Sequence, residues 1–258
     1  MSVLDRIVAR TRREVERRRA HRWSAPKPVE RACAAVRALR RQGGPRVIAE
    51  VKFRSPSAGW IRRRAPGAAT SIARAYADAG AAAVSVLADA PAFGGGVLDV
   101  RRVAAAVDVP VLFKGFVVDP LQVEVAVRAG ASMVLLLVRA LGASELSMLV
   151  ECCEALGVAP LVEAADEDEL DRALATGAPI VGVNARDLHT FEVDEERACR
   201  CLAGIPRDRI AVYMSGVRSA ADLRRVGEGR PDAVLIGEGL MRCEDPGRTL
   251  ASWLEETK

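Results

Sequence analysis

The sequence predicts an α/β fold, a (β/α)8 TIM barrel with an N-terminal helical extension over residues 1–45. Short aliphatic runs recur eight times, a helical pattern follows most of them, and the chain has 258 residues. One such barrel needs about 250 residues, so we expect residues 1–258 to form a single barrel domain. A doubly wound open sheet is the alternative that the same alternation permits.

The N-terminal extension begins with an amphipathic helix. Its apolar face carries Leu4, Ile7, Val8, Thr11 and Val15, which recur at helical spacing. The opposite face carries the arginines Arg12, Arg13, Arg17, Arg18 and Arg19. Such a helix could bind nucleic acid or a membrane surface, but acidic residues interrupt the charge and no aromatic anchors accompany it. We expect it to pack against the barrel with its arginines in solvent.

The eight predicted strands are apolar on both faces, as parallel strands must be when side chains fill a barrel and helices cover it. They lie at Val47–Lys52, Ala83–Leu87, Val109–Lys114, Met133–Val138, Ala159–Glu163, Ile180–Asn184, Ile210–Ser215 and Ala233–Ile236. Amphipathic helices are predicted between them, among them Pro120–Ala129, Ser144–Leu156, Asp166–Thr176 and Ser219–Val226. The last two begin at Asp and Ser, which favour helix N-caps.

Composition restricts the partners and the compartment. Lys and Arg (38) slightly outnumber Asp and Glu (34), an excess that suits a small anionic substrate and does not indicate nucleic acid. No stretch reaches the roughly 18 apolar residues of a membrane span, so we expect a cytoplasmic protein without a membrane partner. The six cysteines include no C-x-x-C pair, which predicts buried or half-buried free thiols rather than disulfides or zinc ligands.

Charged and polar residues stand at the ends of several predicted strands, where a barrel of this type has its active site. They are Glu50 and Lys52 on the first strand, Lys114 on the third, Glu163 on the fifth, and Asn184 with Arg186 after the sixth. Glu50 and Lys52 are two residues apart and therefore point to the same side of the strand. Converging lysines and carboxylates can donate and accept protons, so this pattern predicts acid–base chemistry on an anionic substrate.

The seventh and eighth strands end differently. Ser215-Gly216 follows the seventh and Gly237-Glu238-Gly239 follows the eighth. Glycine lets the backbone approach a ligand closely, and free N–H groups at a helix start favour an anion. Phosphate binding after strands seven and eight recurs in these barrels, so we expect a phosphate site here.

These residues resemble a known family. Ile48-Ala49-Glu50-Val51-Lys52 with Ser55-Pro56-Ser57 is similar to the opening motif of indole-3-glycerol phosphate synthases. Further blocks agree in the order of the family, from the N-terminal helices to the last helix. They are Ser85-Val86-Leu87 with Phe93-Gly94-Gly95, Lys114 and Phe116 with Asp119-Pro120, Leu161-Val162-Glu163, Gly182-Val183-Asn184 with Arg186-Asp187-Leu188, Ser215-Gly216-Val217, Gly237 through Met241, and Asp245-Pro246.

The resemblance implies ring closure of 1-(2-carboxyphenylamino)-1-deoxyribulose 5-phosphate with loss of carbon dioxide and water, and no metal or organic cofactor. Lys114 matches the general acid, Glu163 the carboxylate of the later proton transfers, and Glu50 its partner. Lys52 and Arg186 match cations near the substrate's carboxylate and phosphate, and Asn184 a contact to the sugar-derived chain. The resemblance places phosphate at Ser57, Gly216, Gly237 and Glu238, and the aromatic ring between Phe93 and Phe116, which also fit plain core packing. Ser215 is a further candidate contact to the substrate.

The chain departs from the family pattern at several positions. Met214 replaces a glutamate, Gly115 replaces an aspartate, and Ala88-Asp89-Ala90 replaces Thr-Asp-Glu. Glu238 stands where the family often has a small hydroxyl residue. A diverged enzyme acting on a related arylamino sugar phosphate therefore stays open, as does a barrel that binds a phosphate ligand without catalysis. We expect a monomer, and since barrel helices also form dimer surfaces, a dimer stays open.

Overall fold

Eight parallel strands close into a barrel in the computed structural model, which describes residues 2–19, 24–187 and 190–257. They are β1 (Arg46–Val51), β2 (Ala83–Leu87), β3 (Val111–Lys114), β4 (Met133–Leu137), β5 (Ala159–Ala164), β6 (Ile180–Asn184), β7 (Ile210–Met214) and β8 (Ala233–Ile236). Each strand pairs with its neighbours along the chain, and β8 pairs with β1. The predicted barrel is confirmed and the open sheet is wrong, while strand ends shift by one or two residues.

Two helices precede the first strand, and the others follow the strands and cover the barrel. They are α1 (Val3–Arg19), α2 (Ala32–Leu39), α3 (Ala68–Asp78), α4 (Ala90–Phe93), α5 (Val97–Ala104), α6 (Pro120–Arg128), α7 (Ala143–Ala155), α8 (Glu167–Ala175), α9 (Glu195–Ala203), α10 (Ala220–Gly227), α11 (Glu238–Met241) and α12 (Pro246–Glu256). The two predicted caps are present. Asp166 accepts a hydrogen bond from the Glu169 N–H (2.9 Å), and Ser219 accepts one from the Asp222 N–H (3.1 Å).

Strand alternation divides the core into two layers. On β1, Val47, Ala49 and Val51 pack outward against the helices, whereas Ile48 faces the barrel interior. Helix α2 contributes Leu39 to the interior cluster together with residues from the starts of strands, so it closes the N-terminal end of the barrel. The opposite end, where the strands finish, stays open for a ligand.

Helix α1 lies at the open end of the barrel. Val3, Leu4 and Ile7 line the cavity there, and the predicted apolar face is confirmed, with Leu4, Ile7, Thr11 and Val15 buried. The predicted solvated arginine face is confirmed, because Arg12, Arg13, Arg17, Arg18 and Arg19 are all exposed. Three arginines of α1 form ion pairs with residues that follow three different strands, namely Arg10 with Asp89, Arg12 with Glu145 and Arg19 with Asp119.

The predicted state of the cysteines needs one correction. All six are free thiols, and Cys153 and Cys201 are buried as expected, but Cys33 and Cys199 are exposed. Cys33 lies on α2, which closes the N-terminal end of the barrel, and Cys199 lies on α9 outside the barrel; each is on the side of its helix that meets solvent. Every helix in the described ranges is too short or too polar to cross a lipid bilayer.

Candidate active site

Alternate strands place one layer of side chains at the open end of the barrel. β1, β3, β5 and β7 contribute Glu50, Lys114, Glu163 and Met214, and all four line one cavity. The strand register carries this layer around the ring, since Glu163 lies opposite Leu137 and Gly182, and Met214 lies opposite Asn184. Layers of four side chains from alternate strands are the usual filling of a (β/α)8 barrel. Three of these four side chains are charged, so this layer forms a charged floor of the cavity rather than a packed apolar core.

Glu50 is the centre of a charge cluster on this floor. It is 1% exposed, and its carboxylate lies 2.9 Å from Lys52 Nζ and 3.4 Å from Lys114 Nζ. Ser85 Oγ donates a third contact to Oε2 at 3.2 Å. A Cβ at Gly237 would lie 2.6 Å from Glu50 Oε1, so glycine at this position leaves the space that the ion pair occupies.

The cluster shifts the pKa values of its members in opposite directions. Burial alone would raise the pKa of Glu50, but Lys114 and Lys52 together lower it to about 2. Burial alone would lower the pKa of Lys114, but Glu50 and Glu163 raise it above its ordinary value. Lys114 is therefore an ammonium at neutral pH, and it can donate a proton to an oxygen bound beside it.

Glu163 has a different environment from Glu50. Asn184 Nδ2 donates a hydrogen bond to Oε1 at 2.8 Å, while Oε2 is buried without a hydrogen-bond partner among the described residues. Burial raises the pKa of Glu163, and this effect exceeds the opposing ones of Lys114 and Asn184. Two carboxylates with pKa values pushed apart are suited to separate acid and base roles.

Met214 completes the floor without a charge. It is 1% exposed and packs against β6, where a Cβ at Gly182 would lie 2.6 Å from its Sδ. The thioether therefore fits because Gly182 has no side chain. Gly115 is the other nearby position that differs from the family pattern. A Cβ added there would lie 3.1 Å from Phe113 Cε1. A side chain at Gly115 would require the Phe113 ring to move.

The candidate phosphate site lies beside this floor at the ends of β7 and β8. Ser215 and Gly216 have successive positive φ angles of 73° and 91°, so the backbone makes a tight left-handed turn directly after β7. Ser215, Gly216, Gly237 and Glu238 line the same cavity as the charged floor. The Glu238 carboxylate is bound by Arg242 at 2.8 Å. Burial would raise the pKa of Glu238, but Arg242 lowers it, so its charge is compensated locally.

The aromatic candidates and Ser57 lie in the wall of the cavity. The rings of Phe93 and Phe116 are stacked, with centroids 6.0 Å apart and an interplanar angle of 22°. Both are half-buried and line the cavity, so they do more than fill the core. Ser57 is exposed beside a small hairpin in which Arg54–Ser55 pairs with Gly59–Trp60. Its Oγ lies 3.3 Å from Ser55 Oγ.

Arg186 belongs to a loop that folds back on itself after β6. Its N–H donates to Asn184 Oδ1 (3.0 Å), its Nη1 donates to the Phe191 carbonyl (2.7 Å), and it forms a backbone bridge with Val193. Arg186 and Phe191 both line the cavity. Leu188, the last residue of the predicted Arg186-Asp187-Leu188 block, lies outside the described residues.

The structure thus brings all thirteen predicted site residues to one cavity. Other residues in or around the cavity were not predicted from the sequence. Ser85 sits in the middle of a buried strand, where a lone hydroxyl among aliphatic residues was the available signal. Leu4 and Ile7 showed only an apolar face, which does not say what it covers. No local sequence pattern pointed to Arg139.

A family model described as indole-3-glycerol phosphate synthase matches residues 4–252. The chain belongs to the indole-3-glycerol phosphate synthase family. Members from Mycobacterium avium and Mycobacterium leprae are each 43% identical over 259 residues, and one from Mycolicibacterium smegmatis is 44% identical over 255 residues. In each case the match covers 97% of this chain and 93% of the relative.

More distant structures share the barrel alone. A 3-hexulose-6-phosphate synthase superposes with a TM-score of 0.64 at 18% identity, covering 83% of this chain and 100% of that one. A thiamine phosphate pyrophosphorylase from Pyrococcus furiosus gives 0.60 at 14% identity, covering 86% and 96%. At such identities the likeness supports the (β/α)8 fold and not a reaction.

Proposed function

We propose that the chain is an indole-3-glycerol phosphate synthase. It closes the ring of 1-(2-carboxyphenylamino)-1-deoxyribulose 5-phosphate to indole-3-glycerol phosphate and releases carbon dioxide and water, a carboxy-lyase step of tryptophan biosynthesis. The observation that carries this proposal is the floor of Glu50, Lys114 and Glu163 beneath one cavity, in a chain of this family.

Lys114 is the general acid of the first step. Its ammonium protonates the carbonyl oxygen of the substrate while the aryl carbon attacks the carbonyl carbon. Glu50 supports this role because its carboxylate, 3.4 Å away, keeps the lysine protonated before the reaction. Lys52 pairs with the other oxygen of Glu50 at 2.9 Å, and it provides a second cation for the substrate's anionic groups.

Glu163 takes part in the steps after carbon–carbon bond formation. Loss of carbon dioxide returns its bonding electron pair to the aryl ring. Loss of water then requires one proton to reach the leaving hydroxyl group and one to leave the methylene carbon next to the nitrogen. The unpartnered Oε2 of Glu163 supports this role, since a buried oxygen without a partner can bind a substrate proton. Asn184 holds the other oxygen and contacts the sugar-derived chain.

The phosphate group binds at the ends of β7 and β8. Backbone N–H groups at Gly216 and Gly237 supply donors, and Ser57 and Ser215 add hydroxyls at the rim. Arg186 contributes a cation from the β6 loop. Glu238 participates through its backbone, because Arg242 binds its carboxylate. Binding of the phosphate at one end and of the ring by Phe93 and Phe116 at the other orients the substrate across the floor.

A small sugar phosphate is the partner, without nucleic acid, and the enzyme is monomeric in the cytoplasm. Size-exclusion chromatography with light scattering tests the oligomeric state.

The function is tested by turnover and by growth. Purified protein mixed with the arylamino ribulose phosphate should produce indole fluorescence and release carbon dioxide. The gene should also restore growth of a tryptophan auxotroph that lacks the synthase. If the unmodified chain fails to restore growth and the Met214→Glu variant restores it, the protein is the diverged enzyme instead. Binding of the substrate without product would point to a barrel that does not catalyse.

A further inference from the structure

Arg139 connects three loops at the open end of the barrel. It lies in a short 3₁₀ turn (Val138–Ala140) directly after β4, and its side chain is 13% exposed. Its guanidinium meets carboxylates from the two following loops, Glu169 Oε1 at 2.8 Å, Asp166 Oδ2 at 3.5 Å and Asp187 Oδ2 at 3.7 Å. This largely buried arginine has three acidic partners from two separate segments, and its hydrogen bond to Glu169 together with the two longer ion pairs restrains their relative position.

The first connection leads to Glu163. Glu169 uses one oxygen to bind Arg139 and the other to accept a hydrogen bond from the Ala165 N–H at 2.9 Å. Ala165 is two residues beyond Glu163 and begins the loop that follows β5. The path from Arg139 through Glu169 therefore restrains the chain directly beyond the Glu163 carboxylate.

The second connection leads to Arg186. Asp187 follows Arg186, and its backbone forms the turn of this loop, since its carbonyl accepts from the Phe191 N–H and its N–H donates to the Glu192 carbonyl, each at 2.9 Å. The Phe191 carbonyl in turn accepts a hydrogen bond from the Arg186 guanidinium. The ion pair between Arg139 and Asp187 thus ties β4 to the loop that presents Arg186 to the cavity.

We propose that Arg139 is a positioning residue that holds the β5 and β6 loops together, so that Glu163 and Arg186 face the same bound substrate. Arg139 is not part of the cavity lining, so it would act on the bound substrate only through these two loops. The proposal rests on the proposed function for its kinetic consequences. Its structural content, the ordering of two loops by one guanidinium, does not depend on that function.

We expect Arg139 to act on Glu163 through Glu169. Burial raises the pKa of Glu163, Lys114 and the Asn184 hydrogen bond lower it, and Glu50 and Glu169 raise it. Arg139 compensates the charge of Glu169. Without Arg139, we expect Glu169 to raise the pKa of Glu163 further. A merely structural arginine would have no such effect on the pH profile.

The matched variants are Arg139→Met and Arg230→Met. Arg230 is also buried and ion-paired, with its Nη1 2.7 Å from Asp232 Oδ2, but it precedes β8 at the far end of the barrel. Both changes should lower the free energy of unfolding.

We expect only Arg139→Met to raise KM and lower kcat, each by roughly tenfold or more, and to move the acidic limb of the pH profile to higher pH. Arg139→Lys should recover the pH profile, and Arg139→Met with Glu169→Gln should move the limb back.

Hydrogen exchange supplies a readout that needs no turnover. In Arg139→Met the amides of Ala165 and Phe191 should lose protection relative to the wild type, whereas in Arg230→Met they should keep it. Wild-type protein without synthase activity would refute the proposed function, and the exchange result would still decide the role of Arg139. Unchanged protection of both amides, or equal kinetic effects of the two variants, would overturn the proposal.

Discussion

Asn184 and Glu163 are joined by a hydrogen bond of 2.8 Å from Nδ2 to Oε1 across neighbouring strands. The bond fixes the carboxylate and opposes the increase that burial causes in the pKa of Glu163. Asn184 also accepts a hydrogen bond from the Arg186 N–H through its Oδ1. One amide therefore orients both the candidate base and the loop that carries a candidate phosphate ligand.

Replacement of Asn184 by Ala should make this coupling visible in the pH profile. If Glu163 must be ionised, kcat/KM falls as pH drops through the pKa of Glu163, which is already above its ordinary value. Loss of the Asn184 hydrogen bond raises this pKa further, so the acidic limb should move to higher pH and kcat should fall. Glu163→Gln should abolish the limb. An acidic limb unchanged in Asn184→Ala would contradict the assignment.

Lys114→Met removes the proposed acid but keeps most of the side-chain volume. We expect kcat to fall by about 10²- to 10⁴-fold with a smaller change in KM, because the lysine acts mainly in the transition state. Steady-state kinetics followed by indole fluorescence measures kcat and KM. Lys27→Met, at an exposed lysine outside the cavity, is the control and should behave as wild type. A Lys114→Met enzyme with more than a tenth of the wild-type kcat would rule out this role.

Glu50 should make folding stability depend on pH in the acid range. Its pKa is about 2 in the folded protein against an ordinary value of 4.5, so the folded state favours the carboxylate. The stabilisation is complete above pH 4.5 and is lost as pH falls from 4.5 toward 2. Its size is on the order of 3 kcal/mol.

Denaturant unfolding of wild type and Glu50→Gln at several pH values tests this. The variant should be less stable at pH 7, since Lys52 and Lys114 lose their shared partner, and the difference should shrink as pH falls below 4.5. Glu228→Gln, at an exposed position on the surface, is the control for a general charge effect. A difference that stays constant between pH 7 and pH 3 would disprove the contribution of Glu50.

Gly216→Ala should weaken binding of the phosphate group. Gly216 has φ of 91°, and an added Cβ would lie 3.0 Å from Val193 Cγ1. Alanine therefore forces the turn after β7 to move, and KM should rise while kcat changes less. Gly177→Ala is the matched control, because Gly177 has φ of 78° with open space around it. Both variants should lose about 1 kcal/mol of stability or more from backbone strain. Equal KM values in the two variants would exclude a phosphate site at Gly216.

The amino-acid sequence by itself determined the eightfold alternation, the apolar face of α1 and the strand ends that carry Glu50, Lys114 and Glu163. These features are local, since a strand repeats every two residues, a helix every 3.6, and a parallel barrel gathers its strand ends at one rim. The family resemblance added the roles of individual residues. Both kinds of inference concern positions that are close in sequence or equivalent in neighbouring repeats.

Only the tertiary structure decided which charges meet. Arg139 binds partners 27, 30 and 48 residues away, and α1 places Arg10 and Arg19 on Asp89 and Asp119, which lie 79 and 100 residues further along the chain. Met214 shares a layer with two carboxylates and a lysine because the strand register closes the ring. An ion pair has no periodicity, and its strength depends on the distance and burial that packing sets, so its partners become known only when the chain has closed on itself.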